Sequence, residues 1–196
     1  MLNKKATFQR AHGKIDVKIN NNEINRFYQS GSAKVFYPKS SQKFKELVLV
    51  NTAGGITSGD SFSYDFEIVN KSKIFLTTQT AERAYKGFNE QAKIKICLTV
   101  DDTSNLFWIP QELILFNNCN FDRNIEVNLG PNSNFVLAET TIFGRTAMGE
   151  YLEKGYFNDN WRIYVNKKLI HAEALNLSGN ILSLIHISEP TRLLAI

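Results

Sequence analysis

Ser61-Phe62-Ser63-Tyr64-Asp65-Phe66-Glu67-Ile68 places an apolar side chain at every second position, and Lys93-Ile94-Lys95-Ile96-Cys97-Leu98-Thr99-Val100 repeats the pattern further along. A period of two belongs to a strand with one face on a core and the other in water; a helix would need a period near 3.6. Gly13-Lys14-Ile15-Asp16-Val17-Lys18-Ile19 alternates in the same way. Turn signals lie between such segments: Asn20-Asn21-Asn22, Asp101-Asp102-Thr103, Asn117-Asn118 and Gly130-Pro131-Asn132. Short strands at this cadence predict a mainly β fold, a stacked or helical arrangement of short β-strands with one or two α-helices. Glu46-Leu47-Val48-Leu49-Val50 and Leu113-Ile114-Leu115-Phe116 are apolar on successive residues and predict strands buried on both faces. One helix is expected between Ala138 and Glu150, where Glu139, Ile142, Phe143 and Met148 fall at helical separations, although Gly144 and Gly149 are poor helix formers. No internal repeat of fixed length is visible.

The chain has 196 residues, of which 43% are hydrophobic and 21% charged, which suits one domain with a packed core. Its formal net charge is +4, but the lysines and arginines are scattered. That pattern argues against a nucleic-acid arm and for an acidic protein partner. Cys97 and Cys119 stand far apart, without the spacing of a zinc knuckle or a disulfide framework, and are expected to be small core residues in a reducing compartment. The N-terminal residues lack a signal-peptide apolar region, and no apolar run approaches the roughly 20 residues needed to span a bilayer. A cytoplasmic location without a membrane partner is the expectation. The stretch from Leu182 to Ile196 breaks the pattern and reads like translated adapter sequence, so a single domain is expected over 1–181 and a non-native tail over 182–196.

Several chemistries fail at the level of residues. Gly54-Gly55-Ile56-Thr57-Ser58-Gly59-Asp60-Ser61 nearly fits a phosphate loop, but Asp60 stands where that loop needs lysine. A carboxylate there would repel a phosphate by about 1 kcal/mol or more. The three histidines, His12, His171 and His186, accompany no nucleophile elbow, and no cluster has metal-ligand spacing. Asp60, Glu82, Glu112, Glu139 and Glu150 all lie near turns, so paired carboxylates leave one alternative open: a β-helical carbohydrate-active enzyme or carbohydrate-binding module.

Four phrases carry a resemblance. They are Asn51-Thr52-Ala53-Gly54-Gly55-Ile56-Thr57-Ser58-Gly59-Asp60, Thr77-Thr78-Gln79-Thr80-Ala81-Glu82-Arg83-Ala84-Tyr85, Ile109-Pro110-Gln111-Glu112-Leu113-Ile114-Leu115-Phe116 and Phe143-Gly144-Arg145-Thr146-Ala147-Met148-Gly149-Glu150. In this order and at these separations the chain resembles the urease accessory UreD/UreH family, with Ser58 at a position where the family usually has glycine. The resemblance implies no catalysis but a maturation scaffold. Its partners would be apo-urease, a UreF-type protein and a UreG-type GTPase. Its cargo would be nickel in transit during GTP-dependent insertion, with no tightly bound cofactor.

The residues also have a reading of their own. Gly54, Gly55 and Gly59 permit positive φ and a sharp turn that presents Asp60. Asp60 is then either a passage-lining carboxylate that meets the metal transiently or an acceptor capping turn amides. Thr78, Gln79, Glu82 and Arg83 are polar residues at a strand end, where Glu82 and Arg83 form either a buried ion pair or a functional surface. Gln111 and Glu112 follow the proline of a strand start. Arg145 and Glu150 are expected to tie the helical segment to the sheet, and Glu139 completes the set of passage or motif residues.

Overall fold

The computed structural model describes residues 9–38, 44–88, 90–145 and 148–181. The strands in chain order are β1 (His12–Asn20), β2 (Glu23–Gly31), β3 (Ala33–Phe36), β4 (Lys45–Asn51), β5 (Ser61–Val69), β6 (Lys73–Thr78), β7 (Glu82–Ala84) and β8 (Ala92–Val100). They continue as β9 (Asn105–Trp108), β10 (Leu113–Leu115), β11 (Asn120–Leu129), β12 (Asn134–Leu137), β13 (Thr141–Phe143), β14 (Lys154–Val165) and β15 (Lys168–Asn180). From β5 to β14 the chain visits three sheets in rotation. Sheet A has the order β15-β14-β11-β8-β5-β1-β2, sheet B β12-β9-β6-β4-β3, and sheet C β13-β10-β7. Neighbours within this stretch pair in parallel, so the backbone of each coil is satisfied by the coil above and below it. The result is a three-sided β-solenoid. Antiparallel hairpins flank it, β2 on β1, β15 on β14 and β3 on β4.

The period-two pattern becomes the interior. Parallel pairing stacks Ile15, Tyr64, Ile96, Ile125 and Trp161 in one inward row, and Val17, Phe66, Leu98, Val127 and Ile163 in the next. Phe66, Phe121 and Phe157 are among the largest fully buried side chains. Each removes on the order of 150–250 Å² from water, worth several kcal/mol at about 25 cal/mol per Å². The outward rows of sheet A are polar. Asn158 donates to Asp122 and Asn176 to Asn158, and Asn160 donates to Asn124, which makes amide ladders across neighbouring strands.

Three expectations change in the folded chain. Residues 138–150 do not form a helix: Thr141–Phe143 is β13, paired with Leu113–Leu115, and Arg145 and Glu150 bridge antiparallel. Gly144 and Gly149 have φ of 77° and 70°, which closes a loop and cannot continue a helix. Among the described residues there is no α-helix, and the helical separations of Glu139, Ile142 and Phe143 arise from a corner followed by a strand. Val48, Val50 and Ile114 are half-buried and face outward, so their strands are not covered on both sides. Cys119 is buried, but Cys97 lies on the outward phase of β8 and is half-buried, and both thiols are free. The stretch 182–196 lies outside the described residues.

The turns follow local chemistry. Asn21 and Asn22 adopt φ of 51° and 61° between β1 and β2, the left-handed pair that a tight hairpin needs. Gly31 has φ of 62°, and a Cβ there would lie 1.8 Å from the His12 carbonyl oxygen, so no other residue fits.

Candidate functional site

The corners between sheets B and C come from the recognised phrases and are stitched to one another coil by coil. Gln111 N–H donates to Thr78 Oγ1 at 3.0 Å, and the same hydroxyl donates to the Thr80 carbonyl at 3.0 Å. Glu82 N–H reaches the Glu112 carbonyl at 2.9 Å, and Leu113 N–H the Thr140 carbonyl at 2.9 Å. Behind these corners lies a cavity of about 80 Å³, bounded on the sheet A side by Tyr64, Ile94, Ile96, Phe121 and Arg123. Leu49, Asn51, Thr78, Gln79, Glu82, Trp108, Gln111, Leu113 and Glu139 close the other side. Exposed Thr80, Gln111 and Thr140 mark where it meets solvent. The volume suffices for a few water molecules or a small hydrated ion.

The ionisable groups Glu82 and Tyr64 line the inside, and the charge of Glu82 has no counter-ion among the described residues. The Glu82 carboxylate accepts from Asn51 Nδ2 at 3.2 Å on both oxygens and from the Arg83 N–H at 3.2 Å. No ion pair joins Glu82 to another described residue, because Arg83 lies on the outward phase of β7 opposite Ile114. The Tyr64 side chain is 8% exposed and lines the cavity. Burial and then the charge of Glu82 raise the Tyr64 pKa. Burial likewise raises the Glu82 pKa above its ordinary 4.5, against the lowering effect of the Asn51 and Arg83 hydrogen bonds. The ionised carboxylate is therefore the form the fold penalises, and that penalty is absent below the ordinary value and grows as pH rises through the raised one. Glu82→Gln should melt higher than the parent at neutral pH, with the difference closing in acid. Equal melting temperatures at all pH values would show that Glu82 is solvated.

The remaining predicted residues sit elsewhere. Asp60 does not line the cavity; it is 4% exposed and accepts from Ala11 N–H and Thr57 N–H, both at 2.8 Å. Gly54 and Gly55 do line it. At Gly55 φ is 146°, and a Cβ would fall 2.3 Å from the Tyr85 ring and 2.8 Å from the Arg83 carbonyl, so this turn can lie on β7 only as glycine. Gly59, with φ of 77°, turns the chain into β5. Ser58 is fully buried, and its hydroxyl accepts the Phe88 N–H at 2.5 Å, a use that glycine could not supply. Glu112 contributes its carbonyl to the corner. Arg145 pairs with Glu150 and lies 4.4 Å from the centre of the Phe116 ring, while Glu150 accepts the Asn117 N–H at 3.2 Å. They fasten a loop to the end of sheet C, not a helix.

Sequence reading missed Asn51, Tyr64, Trp108, Arg123 and Asp159. Arg123 is the hub: it binds Asp159 at 2.8 and 2.6 Å and Glu139 at 2.7 Å, and Glu139 in turn accepts Trp108 Nε1–H at 2.6 Å. Burial acts to lower its pKa, but Glu139 and Asp159 outweigh burial and raise it, so the guanidinium is held charged. The missed signal is an ionisable residue on the inward phase of an alternating strand.

Of the five carboxylates considered for sugar chemistry, only Glu82 and Glu139 reach the cavity, and Glu139 is held by Arg123. Among the described residues no group of three or more His, Cys, Asp or Glu is placed to hold a metal ion, and no helix is long and apolar enough to cross a membrane. These features define a class: a mainly β solenoid with a small, mostly apolar cavity behind interlocked corners.

The comparison with known proteins makes that class specific. The UreD urease accessory protein family matches residues 9–195, and the chain belongs to it. A urease accessory protein UreD from Rhodopseudomonas palustris (strain BisB5) is 42% identical over 156 residues, covering 80% of this chain and 55% of that protein. A Chelativorans relative of the same description is 38% identical over 178 residues, 89% of this chain and 64% of its own length. One from Sinorhizobium medicae is 39% identical over 157 residues, with shares of 80% and 57%. The chain thus spans little more than half to just under two thirds of the length of these relatives. The family is one of accessory proteins, not of catalysts, and the carbohydrate-active alternative finds no support.

Proposed function

We propose that the chain forms the solenoid core of a urease maturation scaffold, which holds apo-urease while nickel is inserted in a GTP-dependent step with UreF-type and UreG-type partners. The observation that carries this reading is the cavity, because three of the four family phrases build its walls and mouth while the fourth fastens the adjoining strand. Its donors are oxygens and amides. Such groups bind a borderline divalent cation weakly and exchange it quickly, which suits cargo in transit better than storage. Glu82 supplies the negative charge, and Tyr64 and Gln111 supply neutral oxygen donors along the way. A cytoplasmic location agrees with the partners proposed.

The test uses the full-length protein with its accessory partners and apo-urease, measuring urease activity and nickel content together. Glu82→Leu should leave complex formation intact while nickel per urease active site falls several-fold. Parental nickel loading by that variant would remove the cavity from the reaction.

A further inference from the structure

The two outer faces of the solenoid differ in kind. Outside sheet A the rows are polar and charged: Lys18 pairs with Glu67 at 2.6 Å and Arg26 with Asp16 at 2.7 Å, beside the asparagine ladders. Outside sheets B and C an apolar centre lies among scattered polar side chains. Parallel register sets Phe75, Phe107 and Val136 in one row, with Phe36 beside Val48 in the next, and Ile114 beside Ile142 on sheet C. Phe36 is 58% exposed, and Val136 and Ile142 are each 41% exposed. Three cations on the same face, Lys34, Lys73 and Arg83, have no ion pair among the described residues. Among the described residues Glu46 is the only carboxylate on these rows. A contiguous apolar patch with aromatic residues and unanswered charge at its rim is the composition of a protein-binding surface.

We propose that the joined outer face of sheets B and C is where a partner protein docks, one with an apolar centre and carboxylates around it. This rests on the maturation reading above, under which that partner is apo-urease. The excess positive charge selects an acidic rim over a second copy of this basic chain, whose like charges would meet. The face is also continuous with the cavity mouth, since Gln79, Thr80, Gln111 and Thr140 lie on the corners that join the two sheets. A partner seated there covers the mouth.

Binding of purified apo-urease to the full-length protein would be measured at several salt concentrations. Val136→Asp with Ile142→Asp should weaken binding by about ten-fold or more, because charge is forced into the apolar centre. Lys34→Glu, Lys73→Glu and Arg83→Glu together should slow association and flatten its salt dependence. Lys95→Glu, on the outer face of sheet A, should bind as the parent does. Circular dichroism and melting curves should match the parent for every variant, since each substituted side chain lies on the outward phase of its strand. Parent-like binding by the folded Val136 and Ile142 variant overturns the assignment. If the parent itself does not bind apo-urease, the maturation reading fails and this occupant falls with it. Dimerisation of the parent that the same substitutions abolish would give the face to a second copy and overturn the proposal equally.

Discussion

Arg123→Met is expected to lower stability by about 3–5 kcal/mol, the range for breaking a buried ion pair by removing one partner. Arg123 is 7% exposed and bonded to both Asp159 and Glu139, and its guanidinium carbon lies 5.7 Å from the centre of the Trp161 ring. Methionine fills much of the same volume, so the loss would not come from a void. It would come from two carboxylates left buried together with only the Trp108 and Trp161 indole N–H groups as donors, at 2.6 and 3.2 Å. Adding Glu139→Gln and Asp159→Asn to Arg123→Met should recover much of the loss, because the uncompensated charge is then gone. Urea unfolding of the parent, the single variant and the triple variant would show this order. A loss below about 1 kcal/mol in the single variant would mean that water reaches the carboxylates. The cluster also joins β11 and β14 of sheet A to the corner carrying Glu139, so its loss should open the cavity wall as well as soften the fold.

The class of fold was legible because the long inner strands of sheet A keep their period: in β5 outward and buried positions alternate strictly, and β8 does the same. The solenoid winding was less so. Its coils differ in length, with strands of sheet A starting at Ser61, Ala92, Asn120 and Lys154, so no repeat of constant period marks them. The three-residue strands of sheet C are too short for any period to register, and this is why Thr141–Phe143 passed for part of a helix. There the parallel pairing with Leu113–Leu115 decides the structure, and local propensity does not.

The candidate site was half legible for a related reason. Thr78, Gln79, Glu82 and Gln111 stood out as polar residues at strand ends, where a corner leaves them free to face a cavity. Tyr64 and Trp108 sit on inward phases among Phe62, Phe66 and Leu106 and read as ordinary core. Arg123, between Phe121 and Ile125, and Asp159, between Phe157 and Trp161, did break the apolar phase. A charge on that phase of a single strand has no visible partner in the sequence. Only the parallel register, which sets Arg123 opposite Asp159, makes the two one feature.

Asp60→Ala should cost about 2–6 kcal/mol, more than the loss of an ordinary turn cap. Both carboxylate oxygens are engaged, one by Ala11 N–H and the other by Thr57 N–H, and the residue is almost fully buried. Alanine would leave two backbone amides without acceptors, at roughly 1–3 kcal/mol each. The neighbouring backbone bonds, Asp60 N–H to the Thr57 carbonyl and Lys93 N–H to the Asp60 carbonyl, would lose the anchor that holds this turn at the start of β5. Asp60→Asn keeps one acceptor oxygen and turns an amide donor toward the other N–H, so it should fall between parent and alanine. Because Asp60 lies outside the cavity lining, urease activation per folded molecule should stay at the parental level in both variants. Melting temperature and activation with nickel would be measured on the same preparations of the full-length protein. A variant that melts like the parent yet fails to activate urease would return Asp60 to the metal's path.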